Sequence, residues 1–343
     1  MKKSLLALAV LGAFAGAASA QSSVTLSGMV DAGIKARGSD WSMGGSQSGY
    51  NNFTISGKED LGGGLNAFFV LNHRFLINNG KSNTSSGNGT EPANNVFWRN
   101  AFVGLGGGWG DVRLGRMLMP LQDMNGGFDA FDTGYVGSTH TGGLMATVRA
   151  NSAVYYRSPS FGGLSFHAAI AEGGAQYRNE TSGSFAAGGA AYAVPAAEMG
   201  TERPMGFNVR YAAGPINVGA AYDINAGDYD TWGLYGSWDF GFMKLFGQYE
   251  SGDITNAAGT RKEGIDAYSI SAKIPMGAFT WKVGYLGVSS DAANGDGYKL
   301  GGGVQYDLSK RTSLYSNIGQ AGGDRPTGTQ EDFLFDIGVT HRF

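Results

Sequence analysis

Cysteine is missing from all 343 residues, which excludes disulfides, thiolate catalysis and cysteine-ligated metals. A chain of this size without a covalent staple has to be held by its hydrogen-bonded architecture. A basic excess is missing too: 25 Lys and Arg stand against 28 Asp and Glu, a balance that argues against nucleic acid as a partner. Beyond the first twenty residues no run of about eighteen apolar residues occurs, so the sequence offers no transmembrane helix. The four histidines, His73, His140, His167 and His341, neither cluster nor show ligand spacing, which argues against a metal site; no motif points to a cofactor. The 59 glycines show no three-residue period, excluding a collagen-like fibre. Aromatic residues make up 12% of the chain, too many for disorder.

What is present begins with Lys2 and Lys3, the apolar stretch LLALAVLGAFAGA, and the small residues Ala18, Ser19 and Ala20. Charge, apolar segment and small-residue site in that order form the layout of a cleaved secretory signal. Residues 1–20 are therefore expected to be removed on export, leaving 21–343 as one folded unit. Losing the two lysines makes the formal charge of −3 more negative by two.

From there the chain alternates. VTLSGMVDAGI puts Val24, Leu26, Val30, Ala32 and Ile34 on one parity, and LNAFFVLNHRF does the same with Leu65, Ala67, Phe69, Leu71 and Phe75. PINVGAAYDI, FMKLFGQYE, AYSISAKI, FTWKVGYLGV and TSLYSNIGQ follow the same two-residue period, the mark of a strand with one apolar face. Strands of about ten residues cross a bilayer when tilted. Their connections alternate as well. Seven are short and rich in turn residues: DLGGGL, GLGGGWGD, SPSFGGL, AAGPI, DFGF, IPMGA and DLSKR. Between them lie eight polar and mostly longer ones, around 38–49, 80–93, 118–148, 176–203, 225–228, 253–263, 291–296 and 323–330. Fifteen connections require sixteen strands, and an even antiparallel count lets the first and last strands pair. The last nine residues, FDIGVTHRF, keep the alternation through Phe343. A terminus held in mid-strand fits a sheet that closes with it, and in a membrane closure is compulsory. The expected fold is all-β, a 16-stranded antiparallel transmembrane β-barrel. Trp98, Trp109, Trp232, Trp238 and Trp281 fall near strand ends, as interfacial girdles do, which argues against a soluble sandwich.

The segment from Leu118 to Val148 is about thirty residues long, unusual unless it is functional or disordered. Met119, Leu121, Met124, Phe128 and Phe131 argue against disorder; the barrel wall is the nearest surface for them. Its acids are Asp123, Asp129 and Asp132.

Five stretches occur in order along the chain: SSVTLSGMVDAGI, GKEDLGGGLNAFF, RNAFVGLGGGWGDVRLGR, NSAVYYRSPSFGGLSF and the terminal HRF. Together they resemble the Gram-negative general diffusion porins of the trimeric, sixteen-stranded, β-proteobacterial type. The resemblance implies a water-filled barrel in the cell outer membrane, with a long third loop folded into the lumen. It implies a homotrimer in contact with outer-membrane lipid, passing small hydrophilic solutes and ions, and no enzyme. It makes the loop acids Asp123, Asp129 and Asp132 one side of a pore constriction and places Arg99 and Arg149 on the other. Lumen-facing parity adds Asn66, Asn72 and Arg74 on one strand and groups Arg149, Asn151 and Arg157 on another. Arg37, at the end of the first strand, and Arg116, just before the long loop, are further candidates. Phe343 would be the assembly signal. The chain departs from the pattern at Asn52, where the family usually has a basic residue, and often at Ser56; the basic ladder is shorter here.

Two other functions stay open. A substrate-specific channel would show an aromatic slide or a richer lysine cluster. An outer-membrane hydrolase would need a Ser, His and acid or Asn at one rim, for which His167 and Ser165 are the nearby pair; a polar lumen lining explains both residues more simply. GLGGGWG looks like a phosphate loop but leads into the strand DVRLGR rather than a helix, which makes it a hairpin turn. The sequons at Asn52, Asn83, Asn88 and Asn179 read as chance.

Overall fold

The structure is a computed structural model describing residues 22–45, 51–82, 97–134, 136–141, 147–173, 180–181, 202–225, 228–255, 262–291, 296–323 and 332–343. The expected signal segment, and most of the connections at 80–93 and 176–203, lie outside these residues. A single sheet of 18 strands runs through them. Two strands are short, Asp40–Gly44 and Glu180–Thr181. The other sixteen form the wall: β1 (Ser23–Arg37), β2 (Asn52–Gly62), β3 (Leu65–Arg74), β4 (Trp98–Gly107), β5 (Gly110–Leu118), β6 (Thr147–Arg157), β7 (Leu164–Ile170), β8 (Met205–Ala213), β9 (Ile216–Ile224), β10 (Asp230–Asp239), β11 (Lys244–Thr255), β12 (Lys262–Met276), β13 (Phe279–Ser290), β14 (Gly297–Asp307), β15 (Thr312–Gly322) and β16 (Asp332–Arg342).

Each wall strand pairs antiparallel with the next, and β1 pairs with β16 from Met29↔Arg342 to Arg37↔Leu334. The barrel is closed, as backbone in hydrocarbon requires. The last residue continues that pairing: Gly28 N–H donates to the Phe343 carbonyl at 3.0 Å, and Phe343 N–H donates back to Gly28 at 3.1 Å. Gly28 is required here, because a Cβ on it would lie 2.7 Å from the Phe343 ring.

The period-two pattern sorts the side chains as expected. Leu26, Ile34, Val103, Leu114, Leu234, Ile270, Val283, Ile318 and Ile337 are exposed on the outside. Large apolar side chains spread around a whole barrel mark lipid as the outer solvent. Aromatic pairs gather toward the strand ends. Trp109 stacks on Tyr156, and Phe279 meets Tyr306 near the tight turns; Trp232 meets Tyr249, and Tyr268 meets Tyr285, nearer the long connections. The tight turns use glycine where the backbone demands it: Gly62, Gly63 and Gly64 have φ of 82°, 59° and 80°, values that favour glycine.

The buried apolar clusters lie inside the barrel, between the wall and the 118–148 segment. Leu121, Met124 and Phe128 pack on Ala221 of β9 and Tyr235 of β10, and Ala130 and Phe131 on Phe246 of β11. The segment's apolar content is thus placed against the inward face of the wall.

Candidate functional site

The segment enters through Met119, which is extended at φ −80° and ψ 159°, and Pro120 then opens helix α1 (Pro120–Asn125). Proline suits that position because its missing N–H would be unsatisfied there anyway. The six-residue helix is too short to be stable alone, so tertiary contacts hold it. Asn208 of β8 donates to the Pro120 carbonyl at 2.7 Å. Gly219 of β9 leaves room for Met124, whose Cε would lie 2.7 Å from a Cβ there. Buried Glu250 of β11 accepts from the Tyr235 hydroxyl at 2.8 Å and from the Asn125 amide. Asn125 also donates to Thr141 Oγ1 at 2.9 Å, and Gln248 Nε2 donates to the Phe128 carbonyl at 2.7 Å. Further on, Ala130 N–H donates to Ser271 of β12 at 3.0 Å. The chain crosses the inner face from β8 toward β15, where Gly301 and Gly319 let the backbone of Gly137 and Val136 approach closely.

The three loop acids have different surroundings. Asp123 accepts from the Tyr155 hydroxyl at 3.3 Å, and His167 Nδ1 lies 3.3 Å from Asp123 and 3.1 Å from Tyr155. Burial raises the Asp123 carboxyl, but the hydrogen bond and charge of His167, with the guanidiniums of Arg157 and Arg113, outweigh it and hold the group below its usual 3.8. Asp129 is buried and accepts from the Ser138 hydroxyl at 2.7 Å and from Thr133 N–H at 2.9 Å. Asp132 forms an ion pair with Lys273 of β12 at 2.6 Å. Asp132 and Thr133 both occupy the left-handed region, with φ of 51° and 61°.

The arginines are more dispersed than one parity implies. Arg37 is paired in register with Asp40 and Leu334, and Arg74 with Asn52. Arg116 Nη1 donates to Asn151 at 2.6 Å, and Arg149 Nε donates to Asn100 at 3.1 Å. Arg99 and Arg149 are 2% and 4% exposed, so both lie within packed structure rather than free in the lumen.

Two bulges change the expected facing. In β4 the register jumps from Asn72↔Asn100 to His73↔Trp98, making Arg99 the extra residue; Trp98 meets His73 and Phe53 edge-on. In β6 the register shifts between Gly115↔Ala153 and Met117↔Ala150, where Ser152 has φ 48°. Ala150 and Ala153 consequently share one buried cluster. The bulge separates Arg149 from Arg157, so one simple alternation no longer relates Arg149, Asn151 and Arg157. An inserted residue exchanges the faces beyond it, and the alternation of VRANSAVYYR does not reveal the insertion.

Nothing in the alternation singles out Arg113, which bonds Asp111 at 2.7 Å and lies over Phe68, Phe102 and Tyr155. Lys273 carries no signal of its own either, although it shares the parity of Ser269 and Ser271 in AYSISAKI.

The profile of the Gram-negative porin family matches residues 7–326. The chain belongs to the Gram-negative porin family. It is a general diffusion channel of the Gram-negative outer membrane and not an enzyme. The porin is 33% identical to outer membrane porin protein 32 of Delftia acidovorans, over 93% of this chain and 89% of that one. It is 30% identical to an outer membrane porin protein of Bordetella pertussis over the full length of both. Among solved structures it is similar in fold to the anion-selective porin of Comamonas acidovorans, with a TM-score of 0.75 at 24% identity over 94% of this porin and 100% of that chain.

Proposed function

We propose that this porin is a homotrimer of water-filled pores, each narrowed by the 118–148 loop, and that it sorts small hydrophilic solutes and ions by size and polarity. The observation that carries this reading is the two-sided character of the loop. Its apolar side chains are buried on the wall, while the carboxylates of Asp123 and Asp132 remain partly exposed, at 41% and 53%. In this reading Asp123, Asp129 and Asp132 form the acidic side of the constriction. Arg37, Arg74, Arg99, Arg116 and Arg149 form the basic side, the buried ones acting through their field rather than by touching solute. Opposed fixed charges orient the water between them. A polar solute replaces that water with its own dipole or charge, and an apolar solute cannot.

Single-channel recording in a salt gradient tests the constriction. Arg149→Glu should move the zero-current potential toward cation selectivity, and Asp132→Asn toward anions. Both shifts should fade as ionic strength rises, because salt screens over roughly 8–10 Å near physiological strength. An unchanged potential in Arg99→Glu and Arg149→Glu would remove these arginines from the mechanism. Chemical crosslinking that yields only monomers in mild detergent would refute the trimer. Two further parts of the proposal are the export signal at 1–20 and Phe343 as the assembly signal. Normal amounts of folded Phe343→Lys protein in the outer membrane would overturn the latter.

A further inference from the structure

Beneath the tip of the loop the inner wall carries like charges side by side. Lys244 of β11 is the register partner of Lys273 of β12, and Lys273 is the partner of Lys282 of β13. Like charges directly opposite each other destabilise a sheet, so the row needs compensation. Part of it is apolar: the Phe246 ring has Lys244 Nζ 5.2 Å and Lys273 Nζ 5.8 Å from its centroid, a favourable cation–π placement. Lys282 Nζ reaches Gln305 Oε1 at 3.5 Å. The rest comes from the loop, where Asp132 contacts Lys273 at 2.6 Å.

Among the described residues two further carboxylates, Asp129 and Asp239, stand near the row and are shared with other partners. Lys282 has Asp132, Lys273, Asp129 and Arg342 as its charged neighbours, and Asp129 is already committed to Ser138 and Thr133. Asp239 lies opposite Lys244 in register but accepts the Gly241 N–H of its own turn at 2.8 Å.

Asp132 holds its position from an unfavourable backbone. Two consecutive non-glycine residues, the second β-branched, sit at positive φ, a conformation that persists only where surrounding contacts impose it. The pair it makes is reachable from the lumen, with the side chain of Lys273 26% and that of Asp132 53% exposed.

We propose that the Lys244–Lys273–Lys282 row is a subsite for linear polyvalent oxyanions of the tripolyphosphate type, in which Lys282, buried while the tip is docked, becomes reachable when the tip moves, and that Asp132 occupies the subsite in the empty channel as a tethered substitute for one anionic group. Neighbouring strands lie about 5 Å apart, so the row spans roughly 10 Å, more than a compact ion can bridge. Lysine ammoniums act as point charges without the fork geometry of arginine, which suits an extended, freely rotating chain of oxyanions. An entering polyanion exchanges one ion pair for another at Lys273, releases Asp132, and lets the tip leave its left-handed conformation. The inference rests on the barrel being a pore but not on the arginine constriction, whose test reads the zero-current potential in simple salt.

Recording from the full-length porin in a planar bilayer, with inorganic tripolyphosphate on both sides and orthophosphate as control, tests the subsite. Tripolyphosphate should interrupt the wild-type current at concentrations where orthophosphate leaves it intact. Lys244→Gln and Lys273→Gln should each raise the half-blocking concentration about tenfold, the scale of one lost charged contact. Asp132→Asn should lower it by removing the competitor, and Lys273→Arg, which keeps the charge in place, should retain the block. Block of equal strength in wild type and both glutamine variants would overturn the proposal. So would equal block by orthophosphate, or weaker block in Asp132→Asn alongside a retained block in Lys273→Arg.

Discussion

The first half of the loop, 119–131, and its tip, 132–134, are held to the same wall in opposite ways. The first half buries Leu121, Met124 and Phe128 and donates the Asn125 amide to a buried wall carboxylate, Glu250. Its backbone is regular, a helical turn opened by proline. The tip has an unfavourable backbone at Asp132 and Thr133, and its contact with the lumen wall at Asp132 is an accessible ion pair. Partly exposed ion pairs contribute little because water screens them, whereas buried apolar groups contribute several times more. The first half is therefore the fixed part of the constriction and the tip the part that can respond to solutes.

The largest blow to that contrast should be Phe128→Ala. Phe128 is 1% exposed and lies 5.6 Å from the Tyr235 ring, and losing such a side chain costs about 3–5 kcal/mol. The temperature at which the barrel unfolds in detergent should fall, and the conductance should rise and become noisy. An unchanged, quiet conductance would show that the helical half is held by something else. Next comes Glu250→Ala, which leaves Tyr235 and Asn125 without their shared acceptor at a cost of about 1–3 kcal/mol. Glu250→Gln retains an acceptor and should lose less, measured by the same unfolding transition.

The tip should answer in the other direction. Thr133→Gly removes a side chain from a left-handed position and is expected to stabilise the protein by about 1 kcal/mol, net of glycine's greater freedom when unfolded; a lower unfolding temperature would contradict the strain. The smallest effect concerns pH. The Asp123 carboxyl is held below 3.8 in the folded protein. Its tie to the wall is fully present above that value and is lost as pH falls through the lower, folded value. Protease sensitivity of the loop should rise as pH falls below 3.8, and Asp123→Asn should abolish that rise.

Much of the wall was legible because a strand's two faces meet different solvents, so its sequence must alternate. Leu65 to Phe75 declares a lipid face without reference to any other part of the chain. The loop was legible for a related reason: apolar residues in a long connection need a surface. What alternation could not reveal is where it slips. Arg99 and Ser152 each mark an extra residue, and one insertion exchanges the faces of everything beyond it. The environment of the acids was hidden too, since nothing near Asp132 in the chain names Lys273.

By itself the sequence determined the class of the molecule: all-β, sixteen strands with tight turns on one side and long connections on the other, closed through Phe343. Those features are local, written in periods of two and in turn residues whose backbone preferences act within a few positions. The tertiary structure alone decided which charges share a surface. Lys244 is distant in sequence from the hairpin pair Lys273 and Lys282 yet adjacent to it across three strands. Asp111, Arg113, Arg157, Asp123 and His167 come from three wall strands and a loop to form one group. Strand register brings such residues together, and register is fixed by the closure of the whole sheet rather than by any single strand.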